Sequence, residues 1–471
     1  MELLQRIEVD GRLFYWGAAA VALLATLLAA SSSRLLLDFF RSWRELRLIP
    51  GISPCYPLLG NVPLFERDGA AFFKQILFYR DRFCDIPLLK LWIGPLPILL
   101  LFHAESIEVV LNSSKHIEKP YFYKFLHPWL GTGLLTSSGR KWRTRRKMLT
   151  PTFHFSILTD FLEVMNEQAN ILVKKLEKHV DKEPFDCSLF ISLCTLDIIC
   201  ETAMGKKIGA QSNKDSEYVK SVLTMGDLID HRIKSPWLWH DRLYLLFREG
   251  REHHRRLKIL HSFTDSVIAE RAQELEIKER HQNDTVTTEE LDGWKVRRAF
   301  LDILLNATDD DGKKFSHRDI QEEVDTFMFE GHDTTAAALT WSIYSIACHP
   351  EVQRKIHHEL DEVFGDSNRH ITSDDLKKLH YLECVIKEAL RMFPSVPYFG
   401  RTLVESCYIS QRFAQMEEKT VLATILRNFW VETPQNYGDI EPSTELILRP
   451  NSSVWIQLKR RHASISESKE L

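Results

Sequence analysis

The chain has 471 residues, of which 44% are hydrophobic and 27% are charged, as in globular proteins with a large core. The net charge of −4 and the pI of about 6.6 exclude the basic excess that is typical of nucleic-acid-binding proteins. The eight cysteines form no CxxC pair, which favours a reduced, cytosol-facing protein over a disulfide-stapled one.

The first element is an apolar segment that runs from Leu13 to Ser33 without a charge. As a helix it would span roughly 31 Å, enough to cross a bilayer. A cleaved signal peptide has a shorter apolar region, and a buried core helix usually keeps a polar face. Arginine is in excess after the segment, which places the bulk of the chain in the cytosol. We therefore predict a membrane anchor over residues 1–33.

Residues 34–63 form a basic and proline-rich hinge. Its second half, IPGISPCYPLLGNVP, contains four prolines and two glycines and cannot continue a helix. The chain contains no internal repeat. The highly charged segment at 270–292 is typical of a solvated helix followed by a surface loop.

The best-defined element is a long helix that begins after Ser316 and ends near His349, just before a proline. Ser316 can cap this helix together with Asp319, three residues later. More than thirty residues make a helix of roughly 48 Å, enough to cross a whole domain. Apolar or small residues recur along it at spacings of three and four, which predicts one buried face: Ile320, Val324, Phe327, Met328, Gly331, Thr335, Ala338, Leu339 and Ile346.

Two further helices and two strand-like runs complete the coarse prediction. One helix begins at Pro350 and ends just before Gly365, and another runs through Leu379–Met392. The runs Lys90–Leu101 and Leu446–Leu458 are typical of strands. The pattern therefore predicts a mainly helical protein with small peripheral β-sheets.

The middle of the long helix carries polar groups that are costly in a hydrophobic element. Glu330, Asp333, Thr334 and Ala337 fall on one stripe, and Gly331 lies beside them. One interpretation is a local opening that holds water and relays protons. The alternative is a polar face that packs on a neighbouring helix.

Two further pairs are weak signals by themselves. Glu388 and Arg391 lie at i and i+3 on one helix, where exposed ion pairs are common. Trp142 and Arg146 lie at i and i+4 in a basic segment. That segment could be a surface helix, or it could direct an indole and a guanidinium at an anionic ring substituent.

Taken together, these segments resemble the cytochrome P-450 superfamily, in particular its family 4, the fatty-acid ω-hydroxylase branch. The resemblance spans nearly the whole chain, and its most specific motif is EVDTFMFEGHDTT at Glu323–Thr335. It implies a mainly helical P-450-type fold with a single transmembrane helix, a catalytic domain over residues 64–471, and haem b as the cofactor. The other matching motifs are Trp142-x-x-x-Arg146, KEALRMFPSVP at 387–397 and QRFAQMEEKTVLATILRNFW at 411–430.

The resemblance also implies which residues bind the cofactor. Trp142, Arg146 and Arg401 match the residues that contact the haem propionates. Glu330 matches the glutamate that, in this branch, can form an ester to a haem methyl group.

The remaining roles that the resemblance implies are catalytic and structural. Asp333 and Thr334 match the acid–alcohol pair that delivers protons to iron-bound oxygen. Glu388 and Arg391 match a structural ion pair that locks the core near the haem.

The implied reaction inserts one oxygen atom from O2 into an unactivated C–H bond of a fatty acid or related lipid. Electrons come from NADPH through a separate flavoprotein reductase. The implied location is the endoplasmic reticulum membrane, with a single span and the catalytic domain facing the cytosol.

The family pattern breaks where the iron ligand should lie. The family ligates iron through a cysteine thiolate in a loop before the penultimate long helix. Here the chain passes from Ser410 directly to Gln411, so several dozen residues that the family places there are absent. Cys407 is the nearest cysteine, but it matches a strand position, and His332 matches the distal side of the haem. We therefore expect no metal ligand and a deletion between 410 and 411.

Two hypotheses from different classes follow. The first is a membrane-bound, haem-dependent lipid monooxygenase. The second is a catalytically inactive, membrane-anchored variant of the same fold, because the thiolate loop is absent. In the second case we expect an unstable chain, or one that folds only in its N-terminal two-thirds, because the haem no longer fills the core. A soluble helical interaction protein, a third possibility, is incompatible with the predicted anchor.

Overall fold

A computed structural model describes residues 36–83, 88–102, 107, 110, 117–153, 155–212, 216–284, 299–308, 312–402, 422–444 and 447–460. The predicted anchor at 13–33, the predicted junction at 410/411 and Cys407 lie outside these residues. Within the described residues, no helix has both the length and the apolar composition that a bilayer span requires. The described part divides into two compact units.

Helices dominate the described residues, which confirms the predicted mainly helical fold. Residues 36–45 and 422–428 are helical. The other α-helices are α1 (Gly69–Arg82), α2 (His127–Leu130), α3 (Gly139–Leu149), α4 (Phe155–Leu176), α5 (Ser188–Thr202), α6 (Glu217–Ile233), α7 (Asp241–Tyr244), α8 (Arg248–Asp284), α9 (Phe300–Leu305), α10 (His317–Cys348), α11 (Pro350–Phe364), α12 (Ser373–Lys378) and α13 (His380–Met392). Short 3-10 helices lie at Val62–Leu64, Tyr121–Phe125, Thr150–Phe153, Glu177–His179, Ala210–Ser212 and Pro236–Leu238.

The strands of the described residues are short, and all of their pairings are antiparallel. They are β1 (Leu88–Ile93), β2 (Leu96–Leu101), β3 (Phe185–Asp186), β4 (Phe429–Glu432), β5 (Pro442–Thr444), β6 (Leu448–Pro450) and β7 (Trp455–Arg460). Strand β1 pairs with β2, β5 pairs with β6, and β7 lies between β3 and β4. These small sheets agree with the predicted peripheral sheets.

The smaller unit contains the β1–β2 hairpin. The sequence pattern predicts one strand over 90–101, but Gly94 adopts a φ of 59° and the chain reverses there. Asn61 fixes the segment beside the hairpin: its Nδ2 donates to the carbonyl of Ile52 at 3.0 Å, and its Oδ1 accepts from the backbone N–H of Trp92 at 2.8 Å. One buried amide side chain therefore joins two backbone segments.

The larger unit is built around α10, which is buried along most of its length. Its start confirms the predicted capping box: the backbone N–H of Asp319 donates to Ser316 Oγ at 3.2 Å, and the carboxylate of Asp319 accepts from the backbone N–H of Ser316 at 3.1 Å. Its last helical residue is Cys348, and α11 begins at Pro350, as predicted. The predicted apolar positions of α10 are buried apart from the half-buried Gly331. Residues on its other faces, such as Glu323, Asp325 and His332, are buried as well, so burial is not confined to one face.

The C-terminal segment belongs to the same core. Phe429, Val431 and Leu458 are buried, and Gln353 on α11 donates to the carbonyl of Val431 at 2.9 Å. The expectation that only the N-terminal two-thirds folds is therefore wrong. Strand-forming residues near the C-terminus supply their own apolar side chains to the helical core.

Candidate functional site

Gly331 allows the central helix to approach α5 closely. A Cβ atom built on Gly331 would lie 2.5 Å from Cδ1 of Ile199, so a larger side chain would force the two helices apart. Helix packing therefore explains this glycine, and it does not by itself indicate a water-filled opening. Of the two interpretations, packing on a neighbouring helix is correct for this position.

Thr334 of the stripe and the adjacent Thr335 both bond back to their own helix. Thr334 Oγ1 donates to the carbonyl of Glu330, and Thr335 Oγ1 donates to the carbonyl of Gly331 at 2.9 Å. The Ser395 hydroxyl donates to the carbonyl of Thr334 at 2.9 Å. Such bonds one turn back tend to bend a helix. The predicted catalytic hydroxyl of Thr334 is thus engaged with the backbone.

The carboxylate of Asp333 is bound by an arginine from β6. Asp333 is buried, and its side chain forms an ion pair with the guanidinium of Arg449. A buried carboxylate needs such a partner, because an unpaired charge is costly away from water. The sequence does not indicate Arg449, since nothing local connects two residues that are 116 positions apart. The predicted acid therefore lies in an ion pair.

The carboxyl group of Glu330 lies among other ionisable groups on the same side of α10. Burial raises the pKa of Glu330 to about 7, and Glu323 contributes to the increase, whereas Lys119 opposes it. The protonated form of this carboxyl group is therefore favoured relative to an ordinary glutamate.

Arg401 lies near Tyr123. Burial raises the pKa of Tyr123, Arg401 opposes that increase and Glu330 adds to it, so Arg401 and Glu330 each lie within electrostatic reach of Tyr123. The chain before Arg401 packs closely on the preceding loop, where a Cβ atom on Gly400 would lie 2.6 Å from Cγ of Pro120. Two of the predicted cofactor-binding residues, Glu330 and Arg401, thus both act electrostatically on Tyr123.

Helix α3 carries the other predicted cofactor-binding pair. Trp142 packs against the hydrophobic core. The carbonyl of Arg146 accepts a hydrogen bond from Thr150 Oγ1 at 2.7 Å, near the end of the helix. These contacts do not test whether Trp142 and Arg146 bind the haem propionates, so that role stays a prediction.

The neighbouring face of α3 binds the central helix. Lys141 Nζ lies 2.6 Å from the carboxylate of Glu322. The Arg145 guanidinium lies 2.6 Å from the carboxylate of Asp319 and 3.1 Å from that of Glu323. In the sequence, the only indication of these ion pairs is that Lys141 and Arg145 lie at i and i+4, on the same face of α3. The sequence does not show which face of α3 contacts α10.

Glu323 is the most buried of these carboxylates, with 0% of the residue exposed. Its Oε2 also accepts from the backbone N–H of Leu134 at 3.0 Å. Burial raises the pKa of Glu323 to about 7, although Arg145 and Lys141 favour the charged form. The ion pair with Arg145 therefore compensates only part of the desolvation cost.

The predicted structural ion pair forms, but at the surface of the described structure. Arg391 Nε lies 2.7 Å from Glu388 Oε2, and the two side chains are 65% and 61% exposed. Exposed pairs contribute little to stability, because water screens them. The pair could lock the core only if other residues covered it. Its structural role therefore stays a prediction.

Four of the described cysteines lie where burial favours the neutral thiol. Burial raises the pKa of Cys55, Cys187, Cys200 and Cys348. Cys194 is buried and bonds to a backbone carbonyl, and Cys384 is exposed on α13. Cys84 and Cys407 lie outside the described residues.

The predicted distal group His332 is held inside the helix bundle. It is buried, and its Nδ1 lies 2.7 Å from the carbonyl of Met328, one turn earlier. Among the described residues, no group of three or more histidine, cysteine or acidic side chains could hold a metal ion. Asp333 is paired with Arg449, and burial favours the thiol form of Cys187 and Cys200. That no cysteine of this chain ligates iron stays a prediction.

Comparisons with known proteins agree with the fold. The cytochrome P450 family model matches residues 50–410. The chain is 51% identical to cytochrome P450 4V2 of Pongo abelii and 50% identical to that of Homo sapiens, over 96% of this chain and 97% of each relative. It is 38% identical to cytochrome P450 4c3 of Drosophila melanogaster, over 88% of this chain and 89% of that relative. The first two alignments extend over 513 residues, more than the 471 of this chain.

The buried ion pair gives a testable prediction. We expect Arg145→Ala to lower the free energy of unfolding by about 3–5 kcal/mol, because it leaves the carboxylate of Glu323 buried without its partner. Chemical denaturation of the purified chain measures this change. The matched control is Arg143→Ala on the exposed side of α3, which should cost less than about 0.5 kcal/mol.

The pH dependence tests the same pair further. The folded-state pKa of Glu323, about 7, exceeds its ordinary value of 4.5, so ionisation of Glu323 removes folding free energy as the pH rises between these values. Loss of Arg145 raises the folded-state pKa of Glu323 further. The loss of unfolding free energy caused by Arg145→Ala should therefore be larger at pH 8 than at pH 5. Equal costs at both pH values would contradict the assignment.

Proposed function

The chain belongs to the cytochrome P450 family, and we propose that fatty acids or related lipids are the substrates of its lineage, hydroxylated at a terminal carbon. Members of this family are haem-dependent monooxygenases, and the relatives named above carry family-4 names. The support for the lipid substrate is the resemblance to the ω-hydroxylase branch, above all the motif at Glu323–Thr335.

Enzymes of this family generally take electrons from NADPH through a flavoprotein reductase. We propose that this chain is anchored in the endoplasmic reticulum membrane by residues 13–33, with residues 34–63 as a hinge and residues 64–471 facing the cytosol. The support is the length of the uncharged apolar segment and the arginine residues that follow it.

The roles of the predicted site residues are part of this proposal. The family motif assigns Trp142, Arg146 and Arg401 to the haem propionates and Glu330 to a haem methyl group. Glu330 and Arg401 both act electrostatically on Tyr123, which supports a shared environment for these two groups.

The proton-delivery roles of Asp333 and Thr334 are proposed for the complete family fold. In the present chain Asp333 is paired with Arg449, and the Thr334 hydroxyl bonds to the carbonyl of Glu330. Both groups are therefore engaged with protein atoms.

A specific set of observations favours a second candidate for this chain as it stands, a catalytically inactive variant. We infer that the haem-ligand segment is missing after Ser410. The family match ends at residue 410, and the alignments with the relatives contain more positions than the chain has residues. The exposed Glu388–Arg391 pair supports the same inference, because a pair that locks a core must be covered.

The two candidates differ in how they respond to insertion of the missing segment. The test inserts, between Ser410 and Gln411, the part of the Homo sapiens relative that aligns with this gap. Membranes with haem, the reductase and NADPH are then assayed for terminal hydroxylation of a medium-chain fatty acid by mass spectrometry. We expect product from the insertion variant and none from the chain as it stands.

A matched control carries the same insertion with its cysteine replaced by serine, and it should form no product. Product from the unmodified chain would contradict the inactive variant. An insertion variant that binds haem but hydroxylates no fatty acid would contradict the proposed substrate class.

A further inference from the structure

The central helix contains another buried carboxyl group, which the proposed chemistry does not use. Asp325 is 1% exposed, and its Oδ1 has no hydrogen-bond partner among the described residues. Within that part of the chain, no lysine or arginine pairs with it. A buried carboxylate with neither cation nor full hydrogen bonding is costly, and such a group normally keeps its proton instead.

One side chain connects Asp325 to the surface. His261 on α8 is 30% exposed, and its Nε2 lies 3.6 Å from Oδ2 of Asp325. The same Nε2 lies 2.8 Å from the carbonyl of Trp129. Because a carbonyl only accepts, that nitrogen carries a hydrogen, and the other ring nitrogen is the one that can take up a proton.

On the inner side, Asp325 is near another buried polar atom without a partner. Tyr218 on α6 is 3% exposed, and its hydroxyl has no hydrogen-bond partner among the described residues. Burial raises the pKa of Tyr218 well above its usual range, and Asp325, Cys200 and Asp333 raise it further. Buried polar atoms are usually satisfied by internal water when no protein group reaches them.

The other charged groups around Asp325 do not supply a strong counter-charge. Burial dominates and raises the pKa of Asp325 well above its usual range; Thr264 opposes the increase by a hydrogen bond, and Asp265 on α8 adds to it. Asp265 itself lies 3.7 Å from His317. On α9, Asp302 is already bound by an arginine of α8 at 2.7 Å.

We propose that Asp325, His261 and Tyr218 form a buried proton-binding site, in which Asp325 holds the proton and ordered water bridges its carboxyl group to the Tyr218 hydroxyl. His261 exchanges this proton with solvent. When Asp325 is ionised, Nε2 passes its hydrogen to the carboxylate while the other ring nitrogen takes one from solvent. Release of the proton is the reverse of this step, so the imidazole stays neutral and only its tautomer changes. Asp333 also acts electrostatically on Tyr218, so the site adjoins the residue that is the proposed proton donor.

Only the use of this proton in catalysis rests on the proposed function. The proton-binding site itself requires no haem. A folded-state pKa above the unfolded value means that the folded protein binds more protons, so stability must fall as pH rises between the two values. The experiment compares chemical unfolding of the full-length chain and of the Asp325→Asn variant, both in detergent, from pH 5 to pH 9.

We expect the unfolding constant of the unmodified chain, divided by that of the Asp325→Asn variant, to rise with pH. The rise should reach up to about tenfold for each pH unit, because unfolding releases one proton from Asp325 that the variant does not carry. The control Asp265→Asn removes a neighbouring carboxylate that adds to the pKa of Asp325, so it should narrow the pH range of this dependence without abolishing it. If the unfolding constants of the unmodified chain and of Asp325→Asn changed with pH in the same way, the proposal would be overturned.

Infrared spectroscopy gives an independent readout that does not depend on reversible unfolding. The unmodified chain should show the carbonyl stretch of protonated carboxyl groups at pH 8, and Asp325→Asn should remove the component that belongs to Asp325. His261→Gln should retain this component but slow its deuterium shift by about tenfold or more.

Either infrared result can overturn the proposal. A band that Asp325→Asn leaves unchanged would contradict the site, and an unchanged exchange rate in His261→Gln would contradict the role of His261. A functional thiolate haem in this chain would contradict the proposed inactivity and leave this site standing.

Discussion

The structure depends on one constraint, which is that a long central helix must bury several carboxyl groups inside a hydrophobic unit. Three of these carboxyl groups on α10 meet three different neighbouring elements. Glu323 is paired with Arg145 from α3, Asp333 with Arg449 from β6, and Asp325 has His261 from α8 at 3.6 Å. These contacts fix how three separate parts of the chain meet the helix, and they explain why polar residues are tolerated along a buried element.

Local physics accounts for what could be predicted from the sequence. The start of α10 follows from a capping box at Ser316, and its end follows from Pro350, because both signals act within a few residues. The partners of Glu323 and Asp333 could not be predicted, since they lie more than a hundred positions away in the chain. The hairpin at 90–101 resembles a single strand in sequence, because its turn depends on the one glycine at position 94.

The candidate site shows the same division between local and long-range signals. The family motif indicates Glu330 and Arg401, and in the structure both act electrostatically on Tyr123, which the sequence does not indicate. On α3 the motif indicates Trp142 and Arg146, but the face of this helix that binds α10 belongs to Lys141 and Arg145. The pair Glu388–Arg391 forms as its spacing indicates. Both side chains are exposed in the described structure, and local spacing does not determine which residues would cover them.

The central proposal is that this chain has the P450 fold without the segment that completes its haem site. The carbon monoxide difference spectrum of the dithionite-reduced protein, expressed in membranes with haem supplied, tests it most directly. We predict no Soret band at the position typical of thiolate-ligated haem. A band at that position would contradict the proposal, because some cysteine of this chain would then ligate the iron, and Cys407 would be the first residue to replace.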